Sequence, residues 1–182
     1  MLKICFTGHR PSKLGGYDWN TPKNQKIIEE LIRDTIINVV SDSGEMDIMF
    51  YCGGSLGVDQ MAFNICRKLK STDHNRNYTI TLAIPFKKQA DRWTKSSQKE
   101  FNNEKMSADT VAFVDMLPEY SIAGYKDGEY YPEKMMKRNE YMVDHSDIVI
   151  AVWDGSKSGT ENCIKYAQKL NKRIIRINPN NL

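Results

Sequence analysis

The sequence is poor in the residues that most often mark an enzyme or a metal protein. Three histidines, His9, His74 and His145, stand far apart, with no His-Glu-x-x-His pair and no clustered metal-ligand spacing. Four cysteines, Cys5, Cys52, Cys66 and Cys163, form no Cys-x-x-Cys pair and no Cys/His ladder. Most sit in or beside apolar runs, where a thiol packs as a small hydrophobe, so buried reduced cysteines of a cytoplasmic protein are expected. No apolar stretch approaches the roughly 18 residues that span a bilayer, and residues 1–6 are too short for a signal peptide. The net charge of +3 is too mild to argue for nucleic acid as the partner. A P-loop spacing and a GxGxxG fingerprint are both missing, which argues against nucleoside-triphosphate hydrolysis and ordinary NAD binding. No nucleophile–base–acid set stands out, so no catalytic residue, metal ligand or required cofactor is expected.

What is present is an alternation of two patterns. The 182 residues, 40% hydrophobic and 27% charged, suit one domain over residues 1–182 with a sizeable core. Short continuous apolar runs at 2–6, 48–52, 79–84, 110–114, 148–152 and 173–177 read as strands covered on both faces. Between them, 22–40, 58–70 and 160–170 repeat apolar residues with a period near 3.6, as in Ile28, Ile32, Ile36 and Val39. The polar stretch 87–106 is expected to be helical, covering a sheet edge or a ligand. Residues 132–144 form another helix with Pro132 at its start. This order predicts a three-layer α/β sandwich with a mostly parallel sheet and all strand C-termini on one edge, where ligands bind. The least regular stretch, 117–131, holds four tyrosines and is read either as a lid or partner surface or as a surface insertion.

Two glycine-rich turns mark that edge. Gly53-Gly54-Ser55-Leu56-Gly57-Val58-Asp59 follows the second strand, and Asp154-Gly155-Ser156-Lys157-Ser158-Gly159-Thr160 follows the fifth. Each reads as strand, tight turn and helix start, the geometry that turns free N–H groups and a helix dipole toward an anion. Thr7-Gly8-His9-Arg10 leaves the first strand at the same edge. Gly8 permits close approach, Thr7 offers a hydroxyl, Arg10 suits a phosphate, and His9 is either a contact or a satisfied loop histidine. Ser55 can donate to an anion. Asp59 either favours the helix dipole or accepts from a ribose hydroxyl or an amine. Pro85 and Phe86 end the third strand, with Phe86 read as a base-stacking or core-closing ring. Arg92 and Trp93 follow, reaching the ligand if their segment folds over it. Arg138 and Asn139 reach the cleft if their helix face points inward. Ser158, Gly159 and Thr160 look like an N-cap and first turn aimed at an anion.

Taken together, five blocks resemble the SLOG superfamily, the group that includes YpsA-type proteins, DprA and the cytokinin-activating LOG enzymes. They are Thr7-Gly8-His9-Arg10-Pro11, Gly53 to Gln60, Ile84-Pro85-Phe86, Arg138-Asn139 with Met142-Val143-Asp144 and Ser146-Asp147, and Trp153-Asp154-Gly155 with Ser158-Gly159-Thr160. The nearest subgroup is the YpsA-like one. The resemblance implies a Rossmann-like sheet, a nucleotide or nucleotide-derived ligand at the glycine-rich edge, and self-association as a homodimer or larger homo-oligomer. LOG enzymes carry a PGGxGTxxE block whose glutamate is catalytic; aligning its Gly-Thr with Gly159-Thr160 puts Cys163 in the glutamate's place.

The expected function is therefore binding without turnover of a nucleotide-type signal, an ADP-ribose derivative or a cyclic nucleotide. By family analogy such a domain acts as a sensor, or as a sponge that sequesters immune signals for a phage. One alternative is a LOG-type N-glycosidic hydrolase that uses Arg138, Asp59 or Glu161. The other is DprA-type single-stranded DNA binding through Lys87, Lys88, Arg92, Lys95 and Lys99, although nucleic acid is not the expected partner.

Overall fold

The computed structural model describes residues 1–14 and 22–181. Its strands are β1 (Leu2–Gly8), β2 (Asp47–Cys52), β3 (Asn77–Ile84), β4 (Thr110–Phe113), β5 (Ile148–Val152) and β6 (Arg173–Ile177). Its helices are α1 (Pro22–Ser43), α2 (Val58–Thr72), α3 (Lys95–Ser107), α4 (Pro132–Asp144) and α5 (Gly159–Lys169). The strands form one sheet in the order β4-β3-β2-β1-β5-β6, and every pairing is parallel. The Rossmann-like three-layer reading holds, and the sheet is parallel throughout.

Alternation along the strands builds the two outer layers. Ile4, Phe6, Phe50, Cys52, Ile148, Ile150 and Val152 join an apolar cluster with Ile28, Ile32, Ile36 and Val39 of α1 and Val58, Met61 and Cys66 of α2. The residues between them, Cys5, Tyr51 and Val149, join a second cluster with Tyr141, Met142 and Val143 of α4 and Cys163 and Ala167 of α5. Successive strand residues point to opposite faces, so the sheet is buried on both sides.

The chain order sets the cleft. It steps outward from β1 through β2 and β3 to β4, then returns to place β5 on the other side of β1. Between the C-termini of β1 and β5 the crossovers part in opposite directions, which opens a crevice beyond the strand ends. The register pairs Thr7 with Ala151 and Gly8 with Val152, so β1 runs two residues further than its apolar run suggests.

Other boundaries shift by one to three residues, and two differences change the local structure. Residues 87–93 are a chain of tight turns, with Gln89 N–H to Phe86 O, Asp91 N–H to Lys88 O and Trp93 N–H to Ala90 O. The helix expected over 87–106 begins only at Lys95, because the Thr94 hydroxyl caps it by accepting from Ser97 N at 3.2 Å. β4 stops at Phe113, and Val114–Met116 coil into a 3-10 turn.

Candidate functional site

A cavity of about 300 Å³ lies at the switch point between β1 and β5, lined by residues from β1, the turn after it, α2, α4 and the start of α5. Its floor is Arg138, brought inward because Tyr141 and Met142, one turn further along α4, bury into the sheet. The Arg138 guanidinium is 5% exposed. It donates to Asp59 Oδ2 at 2.9 Å, to Ser55 Oγ at 3.3 Å and to the Gly53 carbonyl. Ser55 N–H also donates to Asp59 Oδ2, at 3.3 Å. The first glycine turn and α4 are thus tied through one buried ion pair. Arg138 Nε has no partner, an open donor in a buried side chain on the cavity wall.

The glycines of this turn serve close approach. A Cβ on Gly53 would overlap the Arg138 guanidinium and stand 2.5 Å from Asp59 Oδ2. Gly57 holds φ at +103°, and a Cβ there would stand 2.5 Å from the His9 carbonyl. That carbonyl accepts from Val58 N at 3.3 Å, fastening the turn after β1 to the start of α2.

The second glycine turn is braced from several sides. The buried His9 ring places Nε2 2.8 Å from Asp154 Oδ1, and the same nitrogen lies 3.1 Å from the Asp154 N–H, so one ring nitrogen meets both groups of Asp154. Hydrogen bonds from the Ser156 hydroxyl and N–H, with His9 adding to them, hold the Asp154 carboxyl well below the usual carboxylate range. Trp153 Nε1 donates to Ser156 O at 2.7 Å, and Arg176 stacks on the Trp153 ring at 4.6 Å. Lys13 reaches across from the turn after β1 to the Ser156 hydroxyl. Ser158 then caps α5 by accepting from Glu161 N at 3.3 Å. Asp154 and Gly155 support this turn from outside the cavity lining.

Thr7, Gly8, His9, Arg10, Ser55, Asp59, Arg138, Asn139, Ser158, Gly159 and Thr160 all line the cavity. Gly53, Gly54 and Gly57 stand behind its wall, the Gly54 carbonyl accepting from Gln89 Nε2 at 2.8 Å. The segment 85–93 does not fold over it. Phe86 meets Tyr130 edge-on at 5.6 Å, and Trp93 meets Phe101 at 5.3 Å. Arg92 is exposed, and neither it nor Pro85 reaches the lining. These four lie apart from the cavity because they follow β3, which β2 and β1 separate from β5.

Sequence reasoning passed over Ser12, Lys13 and Met135, which also line the cavity. Ser12 and Lys13 directly follow the Thr7–Pro11 block, and Met135 precedes Arg138 and Asn139 by one turn, so both places carried a signal. The tyrosine-rich stretch 117–131 contributes nothing to the lining. It is fastened to α4 instead: Tyr120 donates to Asp144 at 2.7 Å. Lys134, 2% exposed, donates to Asp115 Oδ2 at 2.7 Å and to Lys126 O at 2.6 Å. Cys163 lies beneath Thr7, fully buried, its thiol pushed up to about 11 by desolvation against a smaller lowering from the Thr7 hydroxyl. Among the described residues no group of three or more His, Cys, Asp and Glu is placed to hold a metal ion, and no helix is long and apolar enough to cross a membrane.

An open parallel sheet with a cavity at its switch point, faced by the N-terminus of α5, defines a Rossmann-like α/β protein. The chain belongs to the YspA SLOG family, whose model matches residues 4–182. It is 39% identical over 153 residues to the SPbeta prophage-derived protein YoqJ of Bacillus subtilis, covering 81% of this chain and 88% of that one. It is 26% identical to a UPF0398 protein of Halalkalibacterium halodurans, covering 88% and 76% of the two chains. Among solved structures it resembles DNA processing protein A of Helicobacter pylori, whose single-stranded DNA binding has been described. That match has a TM-score of 0.57 and 19% identity, over 96% of this chain and 64% of the other. The Streptococcus pneumoniae DprA matches with a TM-score of 0.57 and 14% identity, over 98% of this chain and half of the other. At those identities the likeness is one of fold.

Proposed function

We propose that this protein binds a nucleotide or nucleotide-derived ligand in the switch-point cavity and does not turn it over. The observation that carries this is a cavity onto which the N-terminus of α5 opens and whose buried Arg138 keeps an unpartnered Nε–H. Helix N-termini attract anions through free N–H groups and the dipole. An open donor on a buried guanidinium supplies a second, independent demand for an acceptor. Thr7, Ser12, Ser55 and Asn139 add hydroxyl and amide groups suited to a sugar.

The case against turnover rests on the carboxylates. Asp59 is committed to Arg138, and Glu161 pairs with Lys165 at 2.7 Å. Cys163, where LOG enzymes have their glutamate, sits behind Thr7 as a protonated thiol at neutral pH. None of the three is a free general base aimed at a ligand. A thermal-shift screen of mono-, di- and cyclic nucleotides and ADP-ribose derivatives tests the reading. A ligand that raises the midpoint of the wild type and not of Arg138→Met supports it, and a flat panel refutes it.

The likeness to DprA favours one second reading, single-stranded DNA binding. It requires a shift with oligonucleotides at low salt that weakens steeply as salt is raised. Absence of that shift removes it.

A further inference from the structure

The charges around α5 bear on which kind of phosphate the cavity holds. Lys13 lines the cavity, and the partner of its ammonium among the described residues is the neutral hydroxyl of Ser156. Asp59, the carboxylate in the lining, is paired with Arg138; Asp154 is held by His9 and Ser156, and Glu161 pairs with Lys165. Among the described residues no carboxylate forms an ion pair with Lys13, and its ammonium is held at Ser156, beside the first turn of α5. There the N–H groups of Gly159 and Thr160 lack intrahelical acceptors, as first-turn groups do, and both residues line the same cavity. The buried Arg138, its charge matched by Asp59, adds an open Nε–H donor to the same wall.

We propose that the site selects a terminal phosphate monoester over a cyclic or internal phosphodiester, with Lys13 as the specificity-determining cation. The proposal rests on the nucleotide-binding reading above. A terminal phosphate carries about −1.5 to −2 charges at neutral pH and three acceptor oxygens. A diester carries one charge and two unesterified oxygens. The Lys13 ammonium and the two N–H groups match three acceptors, and the extra charge of the monoester is the part that Lys13 can read.

The test is isothermal titration of the wild type and of Lys13→Met with the four ribonucleoside 5′-monophosphates and their 3′,5′-cyclic counterparts. Lys13 is exposed, so its replacement leaves the core intact; Lys99→Met, on the outer surface of α3, is the charge control. For the base that binds, the monophosphate is expected to bind about tenfold or more tighter than the cyclic form, the scale of a charge-assisted hydrogen bond. In Lys13→Met the monophosphate loses more affinity than the cyclic form, so most of that ratio disappears, and Lys99→Met behaves as wild type. Equal or tighter binding of the cyclic form overturns the proposal but leaves nucleotide binding standing, and so does a ratio that survives Lys13→Met. If none of the eight compounds binds, this proposal fails; the nucleotide-binding reading fails with it only when the dinucleotides and ADP-ribose derivatives of the thermal-shift screen are silent as well.

Discussion

Replacing Glu104 by Gln should stabilise the protein at alkaline pH and leave it nearly unchanged in mild acid. Glu104 lies on the inner face of α3, 2% exposed, and neither carboxylate oxygen has a hydrogen-bond partner. Desolvation first, then the negative charges of Glu100 and Asp59, push its carboxyl from 4.5 up to about 8. In the unfolded chain it titrates near 4.3. Below that value both states hold the proton and the group is neutral in the balance. Between about 4.5 and 8 the native state keeps a proton that the unfolded state has lost, so stability falls as pH rises through this window. Above the folded value both states are ionised and the loss is complete. At about 1.36 kcal/mol per pH unit the ceiling on that loss is about 5 kcal/mol. Glutamine has the shape of the protonated acid and does not titrate, so the two stability curves should meet near pH 5 and diverge towards pH 8. Urea denaturation at steps between these values, with the slope m constant, reads the difference directly. Parallel curves, or a variant less stable at pH 8, would refute the reasoning.

Other perturbations probe the site and its supports. Lys134→Met leaves Asp115 buried without its cation and should cost about 3–5 kcal/mol by denaturant unfolding; a loss under about 1 kcal/mol would show that the pair is dispensable. A Cβ on Gly159 meets nothing within 4 Å, so Gly159→Val should fold with an unchanged thermal midpoint. Ligand binding should nevertheless be lost, because the new side chain stands at the cavity wall; retained binding would place the ligand elsewhere. Asp154 titrates below its unfolded value, so its stabilisation is present above about pH 4 and lost as pH falls further. Asp154→Asn should therefore flatten the acid limb of the stability profile, and an unchanged limb would count against the His9–Asp154 brace.

Much of the fold was legible because burial on both faces leaves continuous apolar runs. Residues 148–152 and 173–177 match their strands to the residue, each being bounded by polar positions. The extra length of β1 was not legible, since Thr7-Gly8 reads as a turn until β5 pairs with it. The glycine turns and the block after β1 showed the cleft because their chemistry is local. Which reading applies to Phe86 and Trp93 was not legible for the opposite reason: their partners, Tyr130 and Phe101, are tertiary. Arg138 hung on which face of α4 points inward, and the buried Tyr141 and Met142 one turn later already told that phase. Glu104 gave no sign at all, since a carboxylate in a polar helix reads as solvated surface.

The central claim is that the switch-point cavity holds a nucleotide-type ligand. It is tested most directly by mass spectrometry of the small molecules released when freshly purified protein is denatured, run beside Arg138→Met. The account predicts a nucleotide or nucleotide derivative in stoichiometric or near-stoichiometric amount from the wild type and its loss from the variant. The same compound released equally from both, or none from either together with a flat thermal-shift panel, would contradict it.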